Sequence, residues 1–135
     1  MALFEWKQSY SVNIKEADNQ HKGLIASLNQ LYEAMKNNET HEVIAGILKN
    51  LSAYVGVHFS YEENLMKRYN YPGYLDHKKE HETFTAKVGE FIEKHRQGHV
   101  MVSLEVMNFL KDWLKNHILG SDKKYGPFLN QKGIA

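Results

Sequence analysis

His58 and Glu62, and again His77 and His81, stand four residues apart, so on a helix both members of each pair project from one face. Their neighbours constrain the fold. His58 and Glu62 continue a row begun by Leu51 and Val55, and His77 and His81 share a face with Phe84 and Val88. His21 lies on the stripe of Leu24 and Ile25, and His117 follows Trp113 and Leu114 by about one turn. With Asp122, five imidazoles and two carboxylates are aimed at an apolar interior. Burying that many polar groups is costly unless they are paired or bind metal. The segments that carry them must therefore be helices that converge.

Four such segments are legible. The first, about 18–37, presents Leu24, Ile25, Leu28, Leu31, Tyr32 and Met35, with Asp18 as expected N-cap and Asn37-Asn38 as exit. The second, about 40–68, has Thr40 as cap and a stripe of Val43, Ile44, Ile47, Leu48, Leu51, Val55, Phe59, Leu65 and Met66. Asn70-Tyr71-Pro72-Gly73 breaks the pattern. The third, about 75–96, is polar apart from Phe84, Val88, Phe91 and Ile92, and Gly98 suits its C′ position. The fourth, about 101–119, carries Val102, Val106, Phe109, Leu110, Trp113, Leu114 and Ile118. Short connections imply antiparallel neighbours. The expectation is one all-α domain over 1–135, an up-down-up-down antiparallel four-helix bundle. Residues 1–17 and 120–135 read as non-helical tails, anchored by Trp6, Tyr10, Tyr125 and Phe128.

Asp122 poses a geometric problem. Five residues beyond His117, it would sit about 140° away on a regular helix. The helix is therefore expected to end or loosen between the two, with regular α-helix stopping at about 118–121, Gly120 permitting this because glycine tolerates a positive φ, and Asp122 entering from the following turn.

Composition removes other classes. A net charge of +1 in 135 residues gives no field for nucleic acid. No stretch approaches the ~18 apolar residues of a membrane span, and the first residues lack the pattern of a signal peptide. The chain has no cysteine, which excludes thiolate metal sites and disulfides and suits a reducing compartment. The expectation is a cytoplasmic monomer without membrane insertion.

His41, His95 and His99 fall near helix ends or loops and are expected at the surface, and Glu63 in solvent. The remaining seven exceed what one metal ion needs. Carboxylates with imidazoles suit Fe, Mn or Zn. If two metals share both carboxylates and a solvent-derived bridge, five histidines divide unevenly: three close one metal at six ligands, and two leave the other with an open position. An open position beside a second electron donor suits a diatomic molecule.

At these residues the chain resembles the hemerythrins, and among them the single-domain bacteriohemerythrins. The matching stretches are Asp18-Asn19-Gln20-His21, His58-Phe59-x-x-Glu62-Glu63, His77-x-x-x-His81 and Trp113-x-x-x-His117-Ile118-x-x-x-Asp122-x-x-Tyr125, with Trp6-x-x-x-Tyr10-Ser11-Val12 near the start. The resemblance implies a non-haem di-iron centre with an oxo or hydroxo bridge. His77, His81 and His117 would hold the closed iron, His21 and His58 the iron that takes O₂, and Glu62 and Asp122 would bridge. Leu24, Phe59, Trp113 and Leu114 are the expected apolar wall of the O₂ pocket. It also implies a carrier rather than an enzyme, binding O₂ reversibly for storage or delivery to an oxygen-consuming enzyme. The alternatives are an O₂, iron or redox sensor acting through a partner, and a di-iron oxidase. The oxidase is disfavoured because the Glu-x-x-His motifs of ferritin-like sites do not occur in this sequence.

Overall fold

The structure, a computed structural model, describes residues 4–98 and 104–135, the side chains of 104–106 excepted. After a short 3₁₀ turn at Gln8–Tyr10, the long helices are α1 (Lys15–Lys36), α2 (His41–Arg68), α3 (Tyr74–Arg96) and α4 (Leu104–Asn116). A π-helical turn, His117–Asp122, then leads into α5 (Lys123–Gln131). α1 packs on α2 and α4, and α2 on α3. The result is the up-down-up-down antiparallel bundle.

Local chemistry sets the ends. Thr40 caps α2 by accepting from the Val43 N–H at 3.2 Å. Asn38 and Asn70 take left-handed conformations just past α1 and α2, and Gly98 does so past α3. Asp18 differs from expectation. α1 starts at Lys15, one turn earlier, with Ile14 at the N-cap and no side-chain cap. The Asp18 carboxylate instead reaches back from the first turn, accepting from the Val12 N–H at 2.9 Å and the Ser11 hydroxyl at 2.5 Å. A carboxylate in the first turn also suits the helix dipole.

The expected stripes are buried, with exceptions. Val43 and Phe109 are exposed, and Met107 occupies the core position that the pattern had not assigned. The start of the fourth helix, Val102, His99 and the side chain of Val106 lie outside the described residues. Neither tail is wholly irregular. The N-terminal segment is pinned by an Asn29 side chain that accepts from the Phe4 N–H and donates to the Phe4 carbonyl. The C-terminal tail is corrected more strongly, because residues 123–131 form α5 with Pro127 inside it. The carbonyl that Pro127 leaves unbonded, four residues back, belongs to Lys123 at the head of α5, so little of the helix is disrupted.

Two apolar clusters result. The larger joins the faces of all four long helices, including Leu24, Leu28, Leu51, Phe59, Phe84, Leu110 and Leu114. The smaller gathers Val12, Ile14, Ala17, Met66, Tyr125 and Leu129 under the N-terminal segment and α5. Glu62 stands between Phe59 of the first and Met66 of the second, so the polar donors occupy the layer between them. No helix among the described residues is long and apolar enough to cross a membrane.

Candidate metal centre

The seven donors arrive from three of the long helices and from the π turn that follows the fourth: His21 from α1, His58 and Glu62 from α2, His77 and His81 from α3, and His117 and Asp122 from the π turn. All seven are buried, Asp122 and His21 completely.

The π turn solves the geometry of Asp122 by loosening the helix rather than ending it. Regular α-helix gives way after Asn116, slightly before the expected 118–121, and the helix continues without a positive φ at Gly120. Its hydrogen bonds widen from i→i+4 to i→i+5, which brings residue i+5 back over residue i. Asp122 thereby shares the face of His117 while the chain runs on into α5. Its Oδ1 lies 3.0 Å from His117 Nε2 and 2.8 Å from His77 Nε2, and its Oδ2 lies 2.9 Å from His21 Nε2. Glu62 faces the set from the other side. Its Oε1 is 3.2 Å from His81 Nε2, 3.4 Å from His58 Nε2 and 3.8 Å from His77 Nε2, and its Oε2 is 3.4 Å from His21 Nε2. Two sets of mutually close donors follow: His77, His81, His117 with both carboxylates, and His21, His58 with the same two carboxylates.

Electrostatics holds both carboxylates ionised. Burial would raise Glu62 and Asp122, but the surrounding imidazoles outweigh it and bring both below the ordinary range. Burial would likewise lower His21 and His77, yet the negative charges of Asp122 and Glu62, 2.8–3.8 Å from their Nε2 atoms, raise them to about 10 and about 9. Burial lowers His58 to about 4, with the charges of His21 and His81 adding to it and those of Glu62 and Asp122 offsetting it only in part. Tyr125 donates its hydroxyl to Glu62 Oε2. Burial and the nearby Glu62 and Asp122 charges push that phenol well up, so it stays a neutral donor.

The far side of three rings is also held. His58 Nδ1 meets Gln20 Oε1 at 2.7 Å, His81 Nδ1 meets Glu63 Oε2 at 2.8 Å, and His117 Nδ1 meets Glu80 Oε1 at 2.8 Å. Burial raises Glu80, but hydrogen bonds from Ser121 and His117 prevail and lower it. Sequence reasoning quoted Gln20 without a role, placed Glu63 in solvent and passed over Glu80. The available signal was adjacency: each lies one position from a donor in sequence. Glu63 is corrected to half-buried, because His81 draws its carboxylate inward.

These bonds test whether a metal fits. An amide oxygen or ionised carboxylate only accepts, so each fixes a proton on Nδ1 and leaves Nε2 of a neutral ring as a bare lone pair. His81 Nε2 and His117 Nε2 then face each other at 3.1 Å, and His58 Nε2 faces a carboxylate oxygen. Lone pairs opposed at that distance repel unless a cation lies among them. His21 Nε2, His77 Nε2, Glu62 Oε1 and both Asp122 oxygens are buried without a hydrogen bond, a cluster that needs an explanation. A pair of metal ions would supply it, and imidazole with carboxylate is a donor set that suits iron.

Aromatic and aliphatic side chains seal the layer. Phe59 stacks on His81 with centroids 3.8 Å apart, and Trp113 stacks on His117 at 4.5 Å. Both thus cover the three-histidine set. Leu24 and Leu114 are buried in the main core, Leu24 about a turn beyond His21 and Leu114 about a turn before His117. His95, expected at the surface, is buried at the opposite end of α3 with His41 beside it, and neither belongs to the donor sets.

Comparison with known proteins agrees with this arrangement. Residues 12–129 match the family model described as the hemerythrin HHE cation binding domain. The bacteriohemerythrin of Methylococcus capsulatus is 34% identical over 131 residues, 96% of this chain and 99% of that protein. A hemerythrin-like protein of Naegleria gruberi is 34% identical over 122 residues, 90% of each chain. Among solved structures, wild-type hemerythrin superposes with a TM-score of 0.87 at 32% identity, covering 93% of this chain and 97% of that one.

Proposed function

The chain belongs to the hemerythrin family, and from that premise we propose that it binds O₂ reversibly at two irons, as a store or as a source for an oxygen-consuming enzyme. The observation that carries this reading is the unequal division of the buried donors, three histidines against two, with both carboxylates common to the two sets. Bound there, a pair of ferrous ions supplies reversible two-electron chemistry toward O₂. In this reading His77, His81 and His117 would hold one iron, His21 and His58 the other, and Glu62 and Asp122 would be shared between them.

The other residues keep that chemistry reversible. Gln20, Glu63 and Glu80 orient the rings by their Nδ1 protons. Tyr125 takes one lone pair of Glu62 and restrains its rotation. Leu24 and Leu114, with Phe59 and Trp113 behind, exclude water and protons from the ligand side, because proton delivery would turn reversible binding into oxidation of the irons. The protein acts in this role as a carrier and not a catalyst, as a cytoplasmic monomer.

The test is an optical titration of the chain loaded with ferrous iron. Two irons per chain and a charge-transfer band that appears with O₂ and vanishes on deoxygenation are expected. Steady O₂ consumption with product formation would overturn the carrier reading.

A further inference from the structure

Four of the five Nδ1 atoms divide as unequally as the histidines themselves. In the three-histidine set, His81 and His117 each donate to a carboxylate, Glu63 and Glu80, at 2.8 Å. In the two-histidine set, His58 donates to the neutral amide oxygen of Gln20, and His21 Nδ1 is buried with no hydrogen bond at all. Glu62 and Asp122 are common to both sets, so they do not distinguish them. The asymmetry lies one imidazole's width further out.

We propose that Glu63 and Glu80 are positioning residues that make the two metal positions electronically unequal, the three-histidine position being the more easily oxidised. The inference rests on the di-iron reading above. A carboxylate hydrogen-bonded to a ligating imidazole makes the ring a stronger donor. Its negative charge, behind a ring in a low-dielectric layer, also favours the metal state with one more positive charge. Gln20 fixes the orientation of His58 without adding charge, and His21 receives neither. Geometry and charge therefore favour loss of the first electron at the three-histidine position. The two-histidine position keeps the weaker donors, which suits an exchangeable ligand. Exposure ranks the two carboxylates: the Glu63 side chain is 21% exposed and that of Glu80 44%, so solvent screens Glu80 more and Glu63 has the larger effect.

The experiment is an anaerobic spectroelectrochemical titration, at fixed pH, of the full chain loaded with two irons, each step passing one electron from the metal pair to the electrode. Glu63→Gln and Glu80→Gln keep an acceptor oxygen of the same shape and remove only the charge. Glu63→Gln is expected to raise the first midpoint potential and lower the formation constant of the half-oxidised form about tenfold, equivalent to about 59 mV for a one-electron couple. Glu80→Gln moves it the same way by less. Gln20→Glu adds a charge on the other side and lowers the second potential instead. Mössbauer spectra of the half-oxidised wild-type chain should place the ferric ion among three nitrogen donors. Unchanged potentials in both Gln variants, with two irons bound and O₂ binding intact, overturn the inference alone and reduce these residues to orienting hydrogen bonds. A wild-type chain that does not take two irons overturns the proposed function and the inference together.

Discussion

The two ends of the bundle use the same residue to opposite purposes. At one end five histidines turn their Nε2 atoms toward two carboxylates and toward one another. At the other, His41 at the head of α2 and His95 near the end of α3 stack with centroids 4.0 Å apart. Each of these rings directs Nε2 to the other residue's backbone carbonyl, at 2.5 and 2.9 Å. A carbonyl only accepts, so both Nε2 atoms carry protons and each bond is complete. The clasp ties two helix ends and leaves no Nε2 lone pair for a metal. His95 is buried nearly as deeply as the least buried of the donors, 6% exposed against 3% for His77. Burial of a histidine thus does not identify a metal ligand. What fits a metal here is a set of Nε2 atoms gathered around shared carboxylates, with the Nδ1 protons of His58, His81 and His117 already committed to other partners.

The largest expected effect tests that distinction directly. His58→Ala should abolish the two-iron centre and its O₂-dependent absorption while the helices persist, whereas His95→Ala and His41→Ala keep the full iron content. Metal analysis and the optical titration read this out, and a fully loaded His58→Ala chain with unaltered O₂ binding would falsify the assignment.

A leucine from each end sharpens the contrast. Leu114, near the metal layer, and Leu48, beside His41 and His95, are 2% and 1% exposed. Either changed to Ala should cost ~2–5 kcal/mol in denaturant unfolding, depending on the cavity left. Only Leu114→Ala should also speed autoxidation of the oxygenated chain. Equal autoxidation rates in the two variants would leave Leu114 a packing role alone.

Smaller again is the stability cost of opening the clasp. His95→Ala removes the donor to the His41 carbonyl and the stack, for an expected loss of ~1–3 kcal/mol. A loss confined to surface-mutation levels would mean that the reciprocal bonds are not formed in solution.

The smallest signal is a proton count. His21 and His77, raised to about 10 and about 9 by the carboxylates, carry protons in the metal-free chain at neutral pH. Their contribution to metal-free stability is full below about 6.5 and lost as pH rises through 9–10. Iron uptake must displace those protons. Calorimetry in buffers of different ionisation enthalpy should show release near pH 7.5, shrinking toward pH 10. No release at neutral pH would contradict the raised values.

The helical periods were readable from apolar spacing alone, and so were the four helices, their order and the inward face on which each histidine lies. Thr40 and Gly98 announced two helix ends because a cap and a left-handed residue are local chemistry. Asp18 was placed at the right helix end but in the wrong role, because Ser11 and Val12 come back to meet it.

Six of the seven expected donors were therefore legible in the sequence, since each can be placed on an apolar stripe by counting residues, whereas counting puts Asp122 about 140° from His117. Three things only the tertiary structure decided. Ending the helix or widening it both bring Asp122 round, and the imidazoles of His21 and His77, on other helices, draw the carboxylate into a continuous π turn. Glu63, Glu80 and Gln20 sit a position away from the donors, where periodicity assigns a different face, and their bonds span 18, 37 and 38 residues. His95 lies at a helix end, and the chain that buries it begins 54 residues earlier. Local spacing sets which face of a helix is apolar. The partner of a polar side chain depends on which distant segment packs there, and that is settled only when the helices meet.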